Sequence, residues 1–79
     1  MLDLRAELMR FVPSPKGRQA ELILIESDGN EVQVRCLILP DRGCEIYPIS
    51  SNQAYERMIE YYGSRTVVGL ARGVMESGG

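Results

Sequence analysis

Histidine is absent from the 79 residues, which removes the side chain most often used as a general base near neutral pH and the commonest metal ligand. Nucleophile-plus-base chemistry would have to rely on rarer pairings. Cysteine is nearly as scarce. The two present, Cys36 and Cys44, are too few for a disulfide framework and lack the CxxC spacing of a zinc or redox pair. No stretch approaches the roughly 20 apolar residues of a membrane span. Met1-Leu2-Asp3-Leu4-Arg5 carries acid and base inside its first apolar stretch, unlike a signal peptide with its basic region and continuous apolar run. These missing signals predict a cytoplasmic protein, bacterial or phage-encoded. Charge of one sign is missing too: 9 basic residues stand against 11 acidic ones for a net charge of −2, which excludes a polyanion-coating protein held by bulk charge.

What remains is the composition of an ordinary folded chain, 44% hydrophobic and 25% charged, with room for one domain spanning residues 1–79. Chains of this size bury only about 60 to 65% of their unfolded surface, so a single core leaves a thin stability margin and small domains often gain from a partner. Self-association into a homo-oligomer is therefore expected.

The chain is organised around Ala20 to Leu39, two apolar strands folded back at Ser27-Asp28-Gly29-Asn30. Asp28-Gly29 or Gly29-Asn30 can each fill a two-residue turn that needs positive φ. The two choices differ by two residues in register and leave the faces unchanged. With Asp28-Gly29 in the turn, Ile25 opposes Val32 and Ile23 opposes Val34. That register predicts a core face of Ile23, Ile25, Val32, Val34, Cys36 and Ile38, and an amphipathic face of Leu22, Leu24, Leu37 and Leu39 beside Glu26, Glu31, Gln33 and Arg35.

Around this hairpin the elements follow from local signals. Met1 to Val12 reads both ways: Leu2, Leu4, Ala6 and Leu8 alternate with polar residues, yet Leu4, Leu8 and Phe11 share a helical face. Helix propensity and an Asp3 cap tip it toward helix. Pro13 and Pro15 end that element. Pro40-Asp41-Arg42-Gly43 is a turn into a strand from Cys44 to Ile49. Placing Leu39 opposite Cys44 puts Tyr47 and Ile49 on the core face and sends the two cysteines to opposite sides, as free thiols. Ser50 with Gln53 forms a capping-box pattern that starts a helix at Ser51. Its buried stripe is Ala54, Tyr55, Met58, Ile59 and Tyr62, its wet face Gln53, Glu56, Arg57 and Glu60, and its end Gly63. The β-branched run Arg65 to Ala71 predicts a final strand. The fold class expected is α+β: a small antiparallel meander of about four strands with one capped helix packed on it and an N-terminal segment that is helix or strand.

Few residue patterns in the chain carry chemistry. Asp3 with Glu7 and Glu56 with Glu60 have the i, i+4 spacing of paired carboxylates, but as solvated faces rather than an acid/base pair. Asp28-Gly29-Asn30-Glu31 lacks the spacing of a calcium loop, and Gly63, Gly69 and Gly73 match no nucleotide-binding pattern. Cys44 lies near Arg42 but has no histidine or second close thiol, so it reads as inert. No catalytic, cofactor-binding or metal-binding residues are assigned, and no enzyme is expected.

The expectation is a small interaction protein, a regulator or inhibitor of a larger protein, binding through the apolar sheet face with Leu22, Leu24, Leu37, Leu39, Arg35 and the off-stripe Tyr61 as candidate contacts. The alternative is nucleic-acid binding. Eight of the nine basic residues are arginine, the better-organised phosphate donor, and Arg10, Lys16 and Arg18 flank the proline loop with no acid between them, with Arg65 and Arg72 further along. Leu70-Ala71-Arg72-Gly73-Val74-Met75-Glu76-Ser77 resembles the C-terminal stretch of the tryptophan-regulated RNA-binding attenuation protein family, rings of small all-β subunits that bind RNA. The resemblance covers eight residues, implies RNA as the nucleic acid, and is not continued by the rest of the chain.

Overall fold

A computed structural model of the chain describes residues 3–41, 43–50 and 52–77. It contains β1 (Leu4–Val12), β2 (Arg18–Glu26), β3 (Glu31–Ile38), β4 (Cys44–Pro48), α1 (Asn52–Tyr62) and α2 (Ser64–Ser77). The strands form one antiparallel sheet in the order β1-β2-β3-β4, so every connection is a hairpin and β1 and β4 are the edges. The α+β class expected from the sequence is therefore observed. The expected helix start at Ser51 and the charge of Arg42 beside Cys44 lie outside the described residues.

Two elements differ from expectation. Leu4–Val12 is a strand, because its alternation puts Leu4, Ala6 and Leu8 against the core, and burial of that face outweighs the helix propensity of isolated residues. It pairs along β2 from Leu4↔Glu26 to Val12↔Gln19, with a bulge between Leu8 and Arg10. Arg65 to Ala71, expected as a strand, lies within α2. Val67, Ala71 and Met75 are its buried residues, one per turn at i, i+4 and i+8, and that stripe overrides the β-branched composition. The stretch resembling the all-β RNA-binding family thus lies wholly on a helix rather than a strand.

Gly63 joins the two helices. At φ +89° it ends α1 with its N–H donating to Ile59 O at 2.8 Å, and its own carbonyl accepts the Val67 N–H at 3.2 Å to begin α2. The expected stop at Gly63 holds, as does the α1 stripe: Met58 is buried, and Ala54, Tyr55, Ile59 and Tyr62 pack against the core.

The largest correction concerns register. The β2–β3 turn uses three residues, not two. Gly29, at φ +98°, donates to Glu26 O at 2.9 Å, and Glu26 N–H donates to Asn30 O at 2.9 Å, the pattern of a three-residue loop with a left-handed glycine. Leu24 therefore opposes Val32 and Leu22 opposes Val34. Because side chains alternate with period two, this one-residue difference moves every β2 side chain to the other face. The β3–β4 turn differs in the same way, with Ile38, not Leu39, opposite Cys44. The core is accordingly Ala20, Leu22 and Leu24 with Val32, Val34 and Cys36, closed by Met58, Val67, Ala71 and Met75 from the two helices. Ile23 and Ile25 face the other way, and Cys36 and Cys44 lie on the same side.

Gly17 is a constraint that composition did not signal. A Cβ there would clash with Ile38 O, so the loop after Pro13 and Pro15 enters β2 through a gap only glycine fits.

Candidate protein-binding face

Antiparallel pairing sorts the sheet into two faces. The helix side carries Leu4, Ala6 and Leu8, then Leu22, Leu24, Val32, Val34 and Cys36. The other side is built in rows across the strands: Arg5–Ile25–Glu31, Glu7–Ile23–Gln33, Arg10–Glu21–Arg35–Tyr47 and Val12–Gln19–Leu37–Glu45. Both helices pack on the first side. The second is open.

At the centre of the open face Glu21 bridges two arginines. Arg10 Nε donates to Glu21 Oε1 at 2.6 Å and Arg35 Nη2 donates to Glu21 Oε2 at 2.9 Å. The Glu21 side chain is only 12% exposed between them. The hydrogen bond from Arg10, followed by that from Arg35, holds its carboxyl below the ordinary value of 4.5. Arg35 Nε is buried without a hydrogen-bond partner. Arg5 and Glu7 pair at 3.2 Å further along. A shallow concavity of Gln19, Arg35, Tyr47, Pro48 and Ile49 flanks this row, where Tyr47 and Ile49 are 48% and 45% exposed, although both were expected in the core.

The residues expected to bind a partner do not form one surface. Leu22 and Leu24 are fully buried on the helix side, and Leu37, on the open side, is 4% exposed. Leu22 and Leu24 are thus covered by the chain's own helices. Leu39 is half-buried beside the β3–β4 turn, its N–H donating to Gly43 O at 2.8 Å. Arg35 does lie on the open face. Tyr61 is 64% exposed, edge-on to Tyr62 at 4.8 Å, and lines a separate surface groove with Glu26, Arg57, Met58 and Glu60. Ile23, Ile25, Glu21 and Tyr47 were missed as surface residues; the parity of the two turns is the signal that would have found them.

The residues expected to bind nucleic acid are dispersed. Arg10 is paired with Glu21 on the open face, Lys16 is exposed in the β1–β2 loop, and Arg18 lies 4.7 Å above the Phe11 ring on the helix side. Arg65 and Arg72 belong to α2. Of the carboxylates with paired spacing, Asp3, Glu7, Glu56 and Glu60 are all exposed. Among the described residues no group of three or more Cys, Asp or Glu side chains is placed to hold a metal ion, and no helix is long and apolar enough to cross a membrane. Compared with known proteins, the chain matches no family model, no curated protein and no solved structure.

Proposed function

We propose that this chain is a non-enzymatic interaction module that associates with a second copy of itself through the open face of its sheet. The observation that carries the reading is a sheet face that neither helix covers, with half-buried Ile23 and Ile25 on its inner strand β2 and exposed Tyr47 and Ile49 at its edge. Solvated sheet faces ordinarily alternate to polar residues, and contiguous exposed apolar side chains mark contact surfaces.

Charge favours a copy as the occupant. Arg5, Arg10 and Arg35 are interspersed with Glu7, Glu21, Glu31 and Glu45 on that face, so it can meet its own two-fold image without facing a field of one sign. Several of these charges are already paired within the chain, which reduces the cost of removing water from them. Size is consistent as well. Four strands about 4.8 Å apart and up to nine residues long at about 3.3 Å per residue give roughly 500 Å² per copy, or about 1,000 Å² for the pair, at the lower bound for a specific interface. A regulatory role toward a larger protein would use the same face, with the larger partner displacing the second copy.

Size-exclusion chromatography with light scattering over a range of concentrations tests the reading. A mass that rises from 8.8 kDa toward twice that value supports it, and a monomer at every concentration overturns it. The nucleic-acid alternative has less support, since two of its arginines are already engaged by Glu21 and Phe11. RNA binding at low salt that weakens steeply as salt rises would argue for it instead.

A further inference from the structure

The two cysteines lie closer together than their sequence spacing suggests. Cys36 pairs with Ile46 and Cys44 with Ile38, so the cysteines are diagonal neighbours on the helix side of adjacent strands. Their sulfurs are 3.2 Å apart, and both are free thiols. A disulfide requires about 2.05 Å between sulfurs, so the two sulfurs must approach by roughly 1 Å to bond. Their exposure is unequal. Cys36 is fully buried, whereas Cys44 is half-buried at the start of β4 beside the Leu39–Gly43 turn.

We propose that Cys36 and Cys44 form a thiol-oxidation site that closes reversibly to an intramolecular disulfide, with a low-molecular-weight disulfide as oxidant. The accessible Cys44 thiolate attacks one sulfur of the oxidant, forming a mixed disulfide and releasing one thiolate. Cys36 gives its proton to the released small thiolate and attacks Cys44 Sγ, breaking the mixed disulfide and releasing the second thiolate, which is protonated by solvent. Two cysteine thiols and one oxidant disulfide become one Cys36–Cys44 bond and two small thiols; the cysteines are oxidised and the oxidant is reduced. The order follows from access, and the chemistry agrees with it. Burial first, then the hydrogen bond and charge of Cys44, push the Cys36 thiol up to about 12 from an ordinary 9.0, against a smaller opposing pull from Arg72. Cys36 therefore keeps its proton until the mixed disulfide is beside it. The bond would tie the short edge strand β4 to β3 through a loop of residues 36–44, in the register already present.

Reduced full-length protein incubated with glutathione disulfide under native conditions provides the test, read by intact mass, thiol titration and circular dichroism. The expected product is a folded protein lighter by about 2 Da with both thiols lost together, returned to the starting mass by reductant. Cys36→Ala should instead retain one glutathione on Cys44, and Cys44→Ala should stay unmodified because Cys36 is shielded. The wild-type measurement stands without the variants. A persistent glutathione adduct on the wild type, a disulfide between chains, or two thiols that remain titratable in the folded protein would each overturn the proposal. These outcomes are independent of the open face and its association.

Discussion

The two faces of the sheet are built from nearly the same material and put to opposite uses. On β2, Leu22 and Leu24 are fully buried beneath the helices, while Ile23 and Ile25, one residue away, lie on the side that no helix covers. Hydrophobicity therefore does not decide which face becomes the core. The decision lies in the turns, whose lengths set the parity of each strand, and in α1 and α2, whose Met58, Val67, Ala71 and Met75 cover only one side. The covered face is apolar, with no buried charged residue among the described residues, while the open face is amphipathic, with Glu21 holding Arg10 and Arg35. One side supplies stability, and the other leaves apolar surface for a partner.

Leu24→Ala should produce the largest effect, a loss of about 2–5 kcal/mol of unfolding free energy because a fully buried side chain leaves a cavity. Ile23→Ala, measured by urea unfolding at a concentration too low for association, should cost much less; equal losses would erase the distinction between the faces. Gly17→Ala comes next, at about 1–3 kcal/mol, since the new methyl meets the Ile38 carbonyl. It should weaken the monomer without altering the open face.

In the opposite direction, Gly69→Ala on the exposed side of α2, where a Cβ meets nothing within 4 Å, should add about 0.5–1 kcal/mol by favouring the helix. Thermal melting checks this. A destabilised variant would mean that α2 is not the cover described.

Glu21→Gln should have the smallest effect, and one that depends on pH. The Glu21 carboxyl lies below its ordinary value of 4.5 when folded, so its contribution is fully present above that value and is lost as pH falls through the lower folded value. Urea midpoints of wild type and variant should thus differ near neutrality and converge below pH 4.5. A difference that persists unchanged into acid would show that the carboxylate's pairing with Arg10 and Arg35 does not stabilise the fold.

Much of the fold was legible. Pro13 and Pro15 ended the first element, apolar runs bounded by turn residues marked β2, β3 and β4, and the Tyr55, Met58, Ile59 and Tyr62 stripe with Gly63 marked α1. Less legible was anything decided by parity or by competition between signals. Asp28-Gly29-Asn30 satisfies two two-residue turns and a three-residue turn alike, and β2 is apolar on both sides, so neither turn nor strand reveals which face goes in. Thr66-Val67-Val68 favours a strand locally, and only the longer spacing of Val67, Ala71 and Met75 identifies the helix. The candidate site inherited the parity difference: Leu22 and Leu24 were expected outside, Tyr47 and Ile49 inside, whereas Arg35 and Leu37, both on β3, do lie on the side where they were expected. The meeting of Cys36 and Cys44 was hidden for the same reason, since a slip of one residue across β3–β4 separates them.

The most direct test of the open face as the association surface is sedimentation equilibrium of wild type beside Ile23→Lys, with circular dichroism to confirm that both are folded. We expect the wild-type mass to approach twice 8.8 kDa as concentration rises and the variant to remain at the monomer mass throughout. A wild type that stays monomeric, or a folded Ile23→Lys that associates as strongly as wild type, would contradict the assignment.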